Sequence, residues 1–156
     1  MKRFVISDLH FQHKNILEYS NRPFDSLNHM HEIMINNWNN VVSESDKVYI
    51  LGDVTMGRSG LKLLSRLNGK KVIIKGNHDI FKLTDYLEYF EDIRGCMKYK
   101  DCILTHIPVH PSQKERFKFN IHGHLHEKNI NDPFYVNVSV EQVNYTPVDL
   151  DKIADV

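Results

Sequence analysis

The sequence predicts an α/β domain in which short buried strands alternate with helices. The first observation is a set of apolar runs, rich in β-branched and aromatic residues, whose lengths suit buried strands: RFVIS, VYIL, KVIIK, CILT and FKFNI. The second is that helical patterns separate several of these runs, which is typical of β-α-β units with helices covering a sheet. Because the second half of the chain has more strand and tighter turns, we expect the sheet there to be mixed.

The clearest helix is predicted over residues 27–42, where apolar side chains recur at the i, i+3, i+4 spacing of one helix face. Asp25 or Ser26 is the candidate N-cap, since either side chain can accept a backbone N–H. His29 and His31 lie away from the apolar face and are assigned to solvent. The side chains assigned to the core include Met30, Met34 and Trp38.

Four further elements complete the prediction. The stretch SGLKLLSRLNG predicts a shorter helix with Ser59 as its N-cap and Gly69 beyond its end. IFKLTDYLEYF predicts a third helix, and PFYVNVSVEQV predicts a closing strand. A short helical tail is expected from about Asp149.

The composition is ordinary apart from its histidine content. A length of 156 residues predicts a single domain, 1–156, and the hydrophobic share of 41% and charged share of 26% are typical of globular proteins. Lys+Arg and Asp+Glu both count 20, so no basic bias points to an extended nucleic-acid footprint. The 10 histidines favour a metal site or acid–base chemistry, because imidazole is the commonest protein metal ligand.

The remaining bulk features predict a cytoplasmic protein without a membrane partner. The N-terminal apolar run is too short for a signal peptide, and no stretch reaches the roughly 20 apolar residues that span a bilayer. Cys96 and Cys102 flank a predicted turn, KYKD, and form no CxxC metal pattern. We therefore expect both thiols to be reduced.

Polar side chains follow each apolar run directly. They are Asp8 and His10, then Asp53, then Asn77, His78 and Asp79, then His106, and finally His122, His124 and His126. Open α/β sheets place ligand sites at the carboxyl ends of their strands, so we expect these groups to form one cluster. Buried carboxylates and imidazoles are costly unless they are paired or bind cations. The Asp, Asn and His donors suit first-row ions, and their number fits two ions that share a carboxylate.

An alternative interpretation is that these residues cap turns or helices at the strand ends. Capping explains each of Asp8, Asp53 or His106 equally well when that residue is taken alone. His10 and Asn77 have the same alternative. Five strand ends that all carry such groups favour the metal site.

The ordered series DLH, GD, GNHD, a lone His and GHLH, which runs from residue 8 to residue 126, resembles the motif set of the calcineurin-like metallophosphoesterases. The segments HKNI, RPF and VNVSVEQVNYTPV resemble small bacterial and phage phosphoesterases of that superfamily. The resemblance implies a four-layer αββα sandwich, with two packed mixed β-sheets flanked by helices. It also implies two divalent metal ions, with Mn²⁺ as first choice and Fe, Ni²⁺, Co²⁺ or Zn²⁺ as alternatives.

The resemblance assigns roles by motif. The first metal would be held by Asp8, His10 and His126, and the second by Asn77, His106 and His124, with Asp53 as the bridge. Residues two apart on an extended segment point to the same side, so His124 and His126 would both face the metals. Gly123 would leave room for close backbone approach.

The implied reaction is attack of a metal-bridging hydroxide on phosphorus. His78 resembles the general acid of the family, and Asp79 would orient its imidazole. The alternatives are a metal-ligand or cap role for His78 and a helix-cap role for Asp79.

Six further residues are candidates for substrate binding. They are His13, Asn15, Arg22, Arg58, His110 and His122. The arginines could bind phosphate through a guanidinium fork, although a surface position is their alternative. Solvent exposure is the alternative for His13, Asn15 and His110. His122 has no assigned metal and is placed behind the ligands or in the pocket wall.

The predicted function is hydrolysis of a phosphate mono- or diester, and the expected partner is a small phosphate ester or a nucleotide, including cyclic nucleotides. Two alternatives remain open: a nuclease that acts on short DNA or RNA ends, and a non-catalytic metal-binding scaffold. The neutral charge balance disfavours a long nucleic-acid footprint. The presence of every motif ligand argues against the scaffold.

Overall fold

Two mixed β-sheets lie at the centre of the fold, as seen in a computed structural model that describes residues 1–156. The strands are β1 (Arg3–Ile6), β2 (Lys47–Ile50), β3 (Lys70–Ile74), β4 (Asp92–Arg94), β5 (Met97–Tyr99), β6 (Cys102–Leu104), β7 (Asn120–His122), β8 (Tyr135–Asn137) and β9 (Val148–Asp149). The α-helices are α1 (Ile16–Tyr19), α2 (Leu27–Val41), α3 (Leu83–Leu87) and α4 (Leu150–Ala154). Three 3-10 helices span Arg58–Arg66, Pro111–Glu115 and Val140–Gln142.

The first sheet has the order β4-β3-β2-β1-β9. Strands β1 to β4 are parallel, and β9 pairs antiparallel with β1. Parallel strands are covered on both faces, which explains why the corresponding apolar runs are nearly continuous in the sequence. The register aligns Ile6 with Ile50 and Ile50 with Ile73, so these three strands end at the same edge.

The second sheet has the order β5-β6-β7-β8. β5 and β6 form an antiparallel hairpin, whereas β6, β7 and β8 run parallel. The prediction of a mixed sheet in the second half of the chain is therefore confirmed.

Alternate residues of the first sheet face two different cores. Ile6 and Ile50 pack with Trp38 of α2 in one apolar cluster. Val5 packs in the other, with residues of the second sheet such as Leu104. The two sheets therefore pack face to face, with helices on the outer face of the first, as expected for an α/β sandwich.

The outer face of the second sheet carries a thinner cover. Asn120 Oδ1 accepts the N–H of Val109 at 2.9 Å, and the Tyr135 hydroxyl donates to the carbonyl of Val109 at 2.7 Å. Because Val109 lies in the loop after β6, this loop covers part of that outer face.

Helix α2 matches its prediction within one residue at its C-terminus. Ser26 is the N-cap, since its side chain accepts the N–H of His29 at 3.0 Å. Met30, Met34 and Trp38 are buried as predicted. The assignment of His31 to solvent is wrong: this imidazole is buried and accepts the N–H of Gln12 at 3.0 Å, a long-range partner that helical periodicity does not reveal.

Two predicted elements differ in extent. The predicted helix at residues 59–69 is a 3-10 helix that begins after Gly57, so Ser59 is not its N-cap. The N–H of Gly60 donates to the carbonyl of Gly57, which is the tighter i to i+3 pattern of a 3-10 helix. The closing strand ends at Asn137, whose Oδ1 accepts the N–H of Ser139 and turns the chain into a 3-10 helix.

The other chain-level predictions have mixed outcomes. The predicted third helix is limited to α3, because Lys82 before it is extended. The helical tail is confirmed, with Asp149 capping α4 through the N–H groups of Asp151 and Lys152. Both cysteines are free, with Cys102 buried. No helix has the length and apolar character needed to cross a membrane.

Candidate metal centre

The polar residues at the strand ends meet at one edge of the two sheets. We define the first cluster as Asp8, His10 and His126, and the second cluster as Asp53, His106 and His124. Within each cluster the potential ligand atoms all lie within 4.8 Å of one another. Parallel pairing of β1 with β2 and of β6 with β7 brings these groups together, as the sequence predicts.

Asp53 lies between the two clusters. Its Oδ2 is 3.4 Å from His10 Nε2 in the first cluster and 3.4 Å from His106 Nε2 in the second. Its Oδ1 accepts the N–H of His78 at 2.9 Å. One carboxylate oxygen therefore faces both clusters, which is the geometry that a bridging ligand requires.

Two buried atoms of the first cluster lack a hydrogen-bond partner, namely Asp8 Oδ1 and His10 Nε2. They are 3.6 Å apart, and His126 Nε2 is also 3.6 Å from Asp8 Oδ1. Ligands that each lie about 2.1 Å from one cation are separated by roughly 3 to 3.5 Å. Because an unsatisfied buried carboxylate is costly, these residues fit a divalent cation that both atoms contact.

The second cluster is continued by Asn77. Its Oδ1 is 2.9 Å from His106 Nε2, and His124 Nδ1 is 3.2 Å from the same nitrogen. His106 Nδ1 lies 2.6 Å from the carbonyl of Leu51, so it donates there and directs Nε2 into the cluster. The structure thus brings Asn77 to the predicted place, and its role as a ligand stays a prediction.

All members of the two clusters except His106 have backbone torsions in the left-handed region. The φ angles are 60° for Asp8, 51° for His10, 53° for Asp53, 71° for His124 and 53° for His126. Each costs about 1 to 3 kcal/mol for a non-glycine residue, and such strain concentrates at functional sites. The GHLH segment is therefore a turn and not the expected extended strand, so alternation does not explain why both imidazoles face the clusters.

Gly123 allows the close approach of this turn to β1, as predicted. A Cβ at this position would lie 2.2 Å from Asp8 Oδ2 and 2.0 Å from Ser7 Oγ. The N–H of His124 consequently reaches Asp8 Oδ2 at 2.8 Å.

Protonation in the clusters reflects opposing effects. Burial acts to raise the pKa of Asp8, but the contact with His10 and the charges of His106 and His126 outweigh it and lower that pKa. Burial acts to lower the pKa of His106, but Asp53 and Asp8 raise it to about 9. Contacts with Asp53 and Asp8 likewise raise the pKa of His10 against its burial. The clusters therefore favour positive charge beside the two carboxylates.

His78 and Asp79 have separate environments. His78 is exposed, with its ring centroid 5.8 Å from that of His10. The expectation that Asp79 orients this imidazole is wrong, because the buried Asp79 carboxylate accepts the N–H groups of Asp53, Val54 and Gly76 at 2.8, 3.0 and 2.7 Å. Asp79 therefore joins the loops after β2 and β3.

Two of the substrate-binding candidates, His13 and His122, lie near the clusters, and a third, Asn15, makes no side-chain contact with them. His13 Nδ1 is 3.0 Å from His10 Nδ1, and burial together with the charge of His10 lowers the pKa of His13 to about 4. Asn15 is exposed and precedes α1. His122 is buried behind the turn, with Nδ1 2.7 Å from the carbonyl of Gly123.

The other three candidates lie elsewhere or are engaged. Arg22 is buried, and its guanidinium donates hydrogen bonds to other groups of the protein, so it is not free to bind phosphate. Arg58 is exposed and pairs with Asp85. His110 is exposed and caps the 3-10 helix at Pro111–Glu115. These contacts give no support to the predicted substrate role at the three positions. The sequence could not show this, because the partners of a guanidinium or an imidazole are determined only in the folded chain.

An open cavity of about 530 Å³ lies over the first cluster and beside the second. Its polar lining includes His10, His13, His78, His124 and His126. Its apolar lining consists of Ile16, Tyr19, Met56 and Leu125, and Lys128 also lines it. Such a site suits an organic molecule that carries a polar group.

Glu141 is a residue near the site that sequence reasoning missed. Its Oε2 lies 3.1 Å from His126 Nδ1 and accepts from Arg22 Nε at 2.9 Å. Glu141 lies in the segment predicted as a closing strand, and it belongs to none of the motifs that predict metal ligands. Its only sequence signal is its place in VNVSVEQVNYTPV, within the quoted resemblance.

Comparison with known proteins places the chain in a family. No family model matches. The uncharacterized protein MJ1445 of Methanocaldococcus jannaschii is 40% identical over 167 residues, which cover 97% of this chain and 89% of that protein. The chain belongs to the MJ1445 family. Gene 66 protein of Mycobacterium phage L5, 30% identical over 77% of this chain and 75% of its own length, extends the MJ1445 family to a phage.

A solved structure has the same fold. The protein of unknown function AQ665 from Aquifex aeolicus superposes with a TM-score of 0.79 at 26% identity, covering 99% of this chain and 98% of its own. An archaeal phosphodiesterase aligns over 89% of this chain and 82% of its own at 20% identity, with a TM-score of 0.49.

Proposed function

We propose that this protein is a metal-dependent phosphoesterase that hydrolyses phosphate mono- or diesters at a dinuclear centre. The observation that carries the proposal is Asp53 Oδ2, which lies 3.4 Å from a histidine nitrogen of each cluster. The unpartnered Asp8 Oδ1 and His10 Nε2 support it, because a cation would satisfy both. The ordered motifs from residue 8 to residue 126 resemble those of calcineurin-like metallophosphoesterases and support the same assignment.

The chain's own residues would divide the work of the reaction. When bound, two divalent cations would attract the phosphate ester and lower the pKa of a water molecule so that it can attack phosphorus. Asp8 and Asp53 would hold the cations while leaving a surplus of positive charge for the phosphate oxygens. His78 would give a proton to the leaving group, since its imidazole lines the cavity beside the first cluster.

The cavity supports a nucleotide or cyclic nucleotide as the substrate. Tyr19, which is 72% exposed, offers an aromatic ring to the cavity, and Ile16 and Leu125 also line it. A base that stacks on such a ring gains about 1 to 3 kcal/mol. The balanced charge of the chain disfavours long nucleic acids, although a dinucleotide would need no extended surface.

A hydrolysis screen tests the proposal. Protein loaded in turn with Mn²⁺, Ni²⁺ or Co²⁺ is assayed on p-nitrophenyl phosphate, bis-p-nitrophenyl phosphate, a mononucleotide, a cyclic nucleotide, a dinucleotide and a long single strand. We expect metal-dependent hydrolysis with preference for the small nucleotides over the long strand. Preference for strand ends would favour the nuclease, and metal binding without hydrolysis of any ester would favour the scaffold and overturn the proposal.

The variant His78→Ala tests the proton donor. We expect it to bind metal normally and to slow turnover about 10²- to 10⁴-fold for esters with poor leaving groups, with a much smaller loss for p-nitrophenyl esters. His110→Ala is the matched control, because it removes an exposed imidazole outside the cavity. Equal losses on good and poor leaving groups would remove His78 from the role of acid.

A further inference from the structure

His126 is fixed from behind by a buried carboxylate. The Glu141 side chain is 5% exposed, and its Oε2 is 3.1 Å from His126 Nδ1. A carboxylate at this distance holds the proton of the ring on Nδ1, which leaves the lone pair on Nε2. His126 Nε2 faces Asp8 Oδ1 at 3.6 Å, so the free lone pair points into the first cluster.

Glu141 is in turn held by Arg22. Arg22 Nε donates to Glu141 Oε2 at 2.9 Å, while its two terminal nitrogens donate to the carbonyls of Leu9 at 2.8 Å and Asp8 at 2.7 Å. The guanidinium therefore joins three parts of the chain: the loop after β1, its own loop before α2 and the 3-10 helix after β8. Charge is balanced inside this network, as a buried carboxylate requires.

We propose that Glu141 is a positioning residue, held by Arg22, that fixes the tautomer and orientation in which His126 presents Nε2 to the first cluster. The inference rests on the proposed metal centre. It also assigns Arg22 a supporting role in place of the substrate contact that the sequence predicted. Carboxylates that orient a metal-binding histidine typically contribute 10- to 100-fold to metal affinity.

The substitution Glu141→Gln tests this role because it replaces a charged acceptor by a neutral one. Glu141 Oε2 accepts from Arg22 Nε and contacts His126 Nδ1, so the amide oxygen should take its place and hold the ring proton on Nδ1 less firmly. We expect the first cluster to be the tighter site, because its unpartnered Asp8 Oδ1 and His10 Nε2 would be satisfied by a cation. Mn²⁺ titration calorimetry should then show the tighter of two binding events weakened about 10- to 100-fold, with the weaker event little changed. Nitrogen NMR of the metal-free protein should show part of the His126 population shifting from the Nδ1–H to the Nε2–H tautomer.

Glu32→Gln is the matched control. Glu32 pairs with Arg66 through two hydrogen bonds of 2.7 and 2.8 Å on the surface of α2, so this change also removes one carboxylate charge from an arginine. We expect no change in Mn²⁺ affinity or in the His126 tautomer. Glu141→Asp keeps the charge beside Arg22, so it should fold even if Glu141→Gln does not. Its affinity in the tighter Mn²⁺ binding event should lie between those of the wild type and Glu141→Gln.

The outcomes separate this inference from the proposed function. Wild-type protein that binds no Mn²⁺ would overturn the proposed centre and the inference with it. Two-site binding by the wild type, together with unchanged affinity and an unchanged tautomer in a folded Glu141 variant, would overturn the inference alone. A lowered melting temperature without any change of tautomer would assign Glu141 a purely structural role and also overturn the inference.

Discussion

The two clusters share Asp53 but are supported in different ways, and the first is held mostly by groups outside it. Asp8 Oδ2 accepts from the Ser7 hydroxyl at 2.6 Å and from the N–H of His124 at 2.8 Å. His126 is in contact with Glu141. The cluster's two unpartnered atoms, on Asp8 and His10, are therefore already oriented toward a common point.

In the second cluster the inward-facing atoms contact one another and Asn77, while Asp53 Oδ1 accepts the N–H of His78. His106 is fixed by the carbonyl of Leu51, but its Nε2 is in contact with Asn77 and with His124. Asn77 is exposed, and no other side-chain hydrogen bond restrains it. A cation at this cluster would have to replace those contacts, whereas at the first cluster it would only fill an unsatisfied position. We therefore expect the first cluster to bind its metal more tightly than the second.

The largest expected effect comes from removing what the clusters share. Asp53→Asn keeps the side-chain shape but removes the negative charge that faces both His10 and His106. We expect loss of paired metal binding and a fall in hydrolysis of more than about a thousandfold, measured by Mn²⁺ calorimetry and by ester turnover. Asp101→Asn, an exposed change in the turn before β6, is the control. Two bound ions and intact turnover in Asp53→Asn would contradict the bridging role.

The placement of the candidate ligands could be predicted because it follows from topology. Asp8, Asp53 and Asn77 follow three neighbouring parallel strands, and such strands end at one edge of a sheet whatever the details of packing. His106 and His124 follow two neighbouring parallel strands of the second sheet. Apolar runs and the residues after them are local signals, which is why sequence alone was sufficient for this part of the site.

The supporting contacts could not be predicted because they join distant parts of the chain. Arg22 and Glu141 are 119 positions apart, and neither side chain reveals its partner locally. Asp79 similarly contacts backbone N–H groups of Asp53 and Val54, on a different loop. The left-handed torsion of His124 opposes the usual preference of a non-glycine residue, so tertiary contacts impose it.

A second prediction concerns how the stability of the metal-free protein depends on pH through His106 of the second cluster. The pKa of His106 is raised to about 9 in the folded protein from an ordinary value of 6.5. Its charged form therefore stabilises the fold fully below pH 6.5, and this stabilisation is lost as the pH rises through 9. We expect metal-free protein to lose up to about 3 kcal/mol of unfolding free energy over that range, measured by urea unfolding in a chelator.

The variant His106→Gln provides the control for this pH dependence, since glutamine does not titrate. Its unfolding free energy should change less between pH 6.5 and 9 than that of the wild type. Identical pH profiles for the two proteins would show that His106 is not the group responsible. Saturating Mn²⁺ should also weaken the trend, because a metal on Nε2 would replace the proton.

The smallest effect is expected from Asn77→Ala. The change removes the predicted neutral ligand beside the second cluster alone, and Asn77 is exposed, so the first cluster and the fold should be unaffected. We expect calorimetry to show the weaker Mn²⁺ event reduced about 10- to 100-fold while the tighter event stays the same. Asn36→Ala, an exposed change on α2, is the control. If Asn77→Ala instead weakens the tighter event, the tighter site is the second cluster, and the order of affinities drawn from the supporting contacts is reversed.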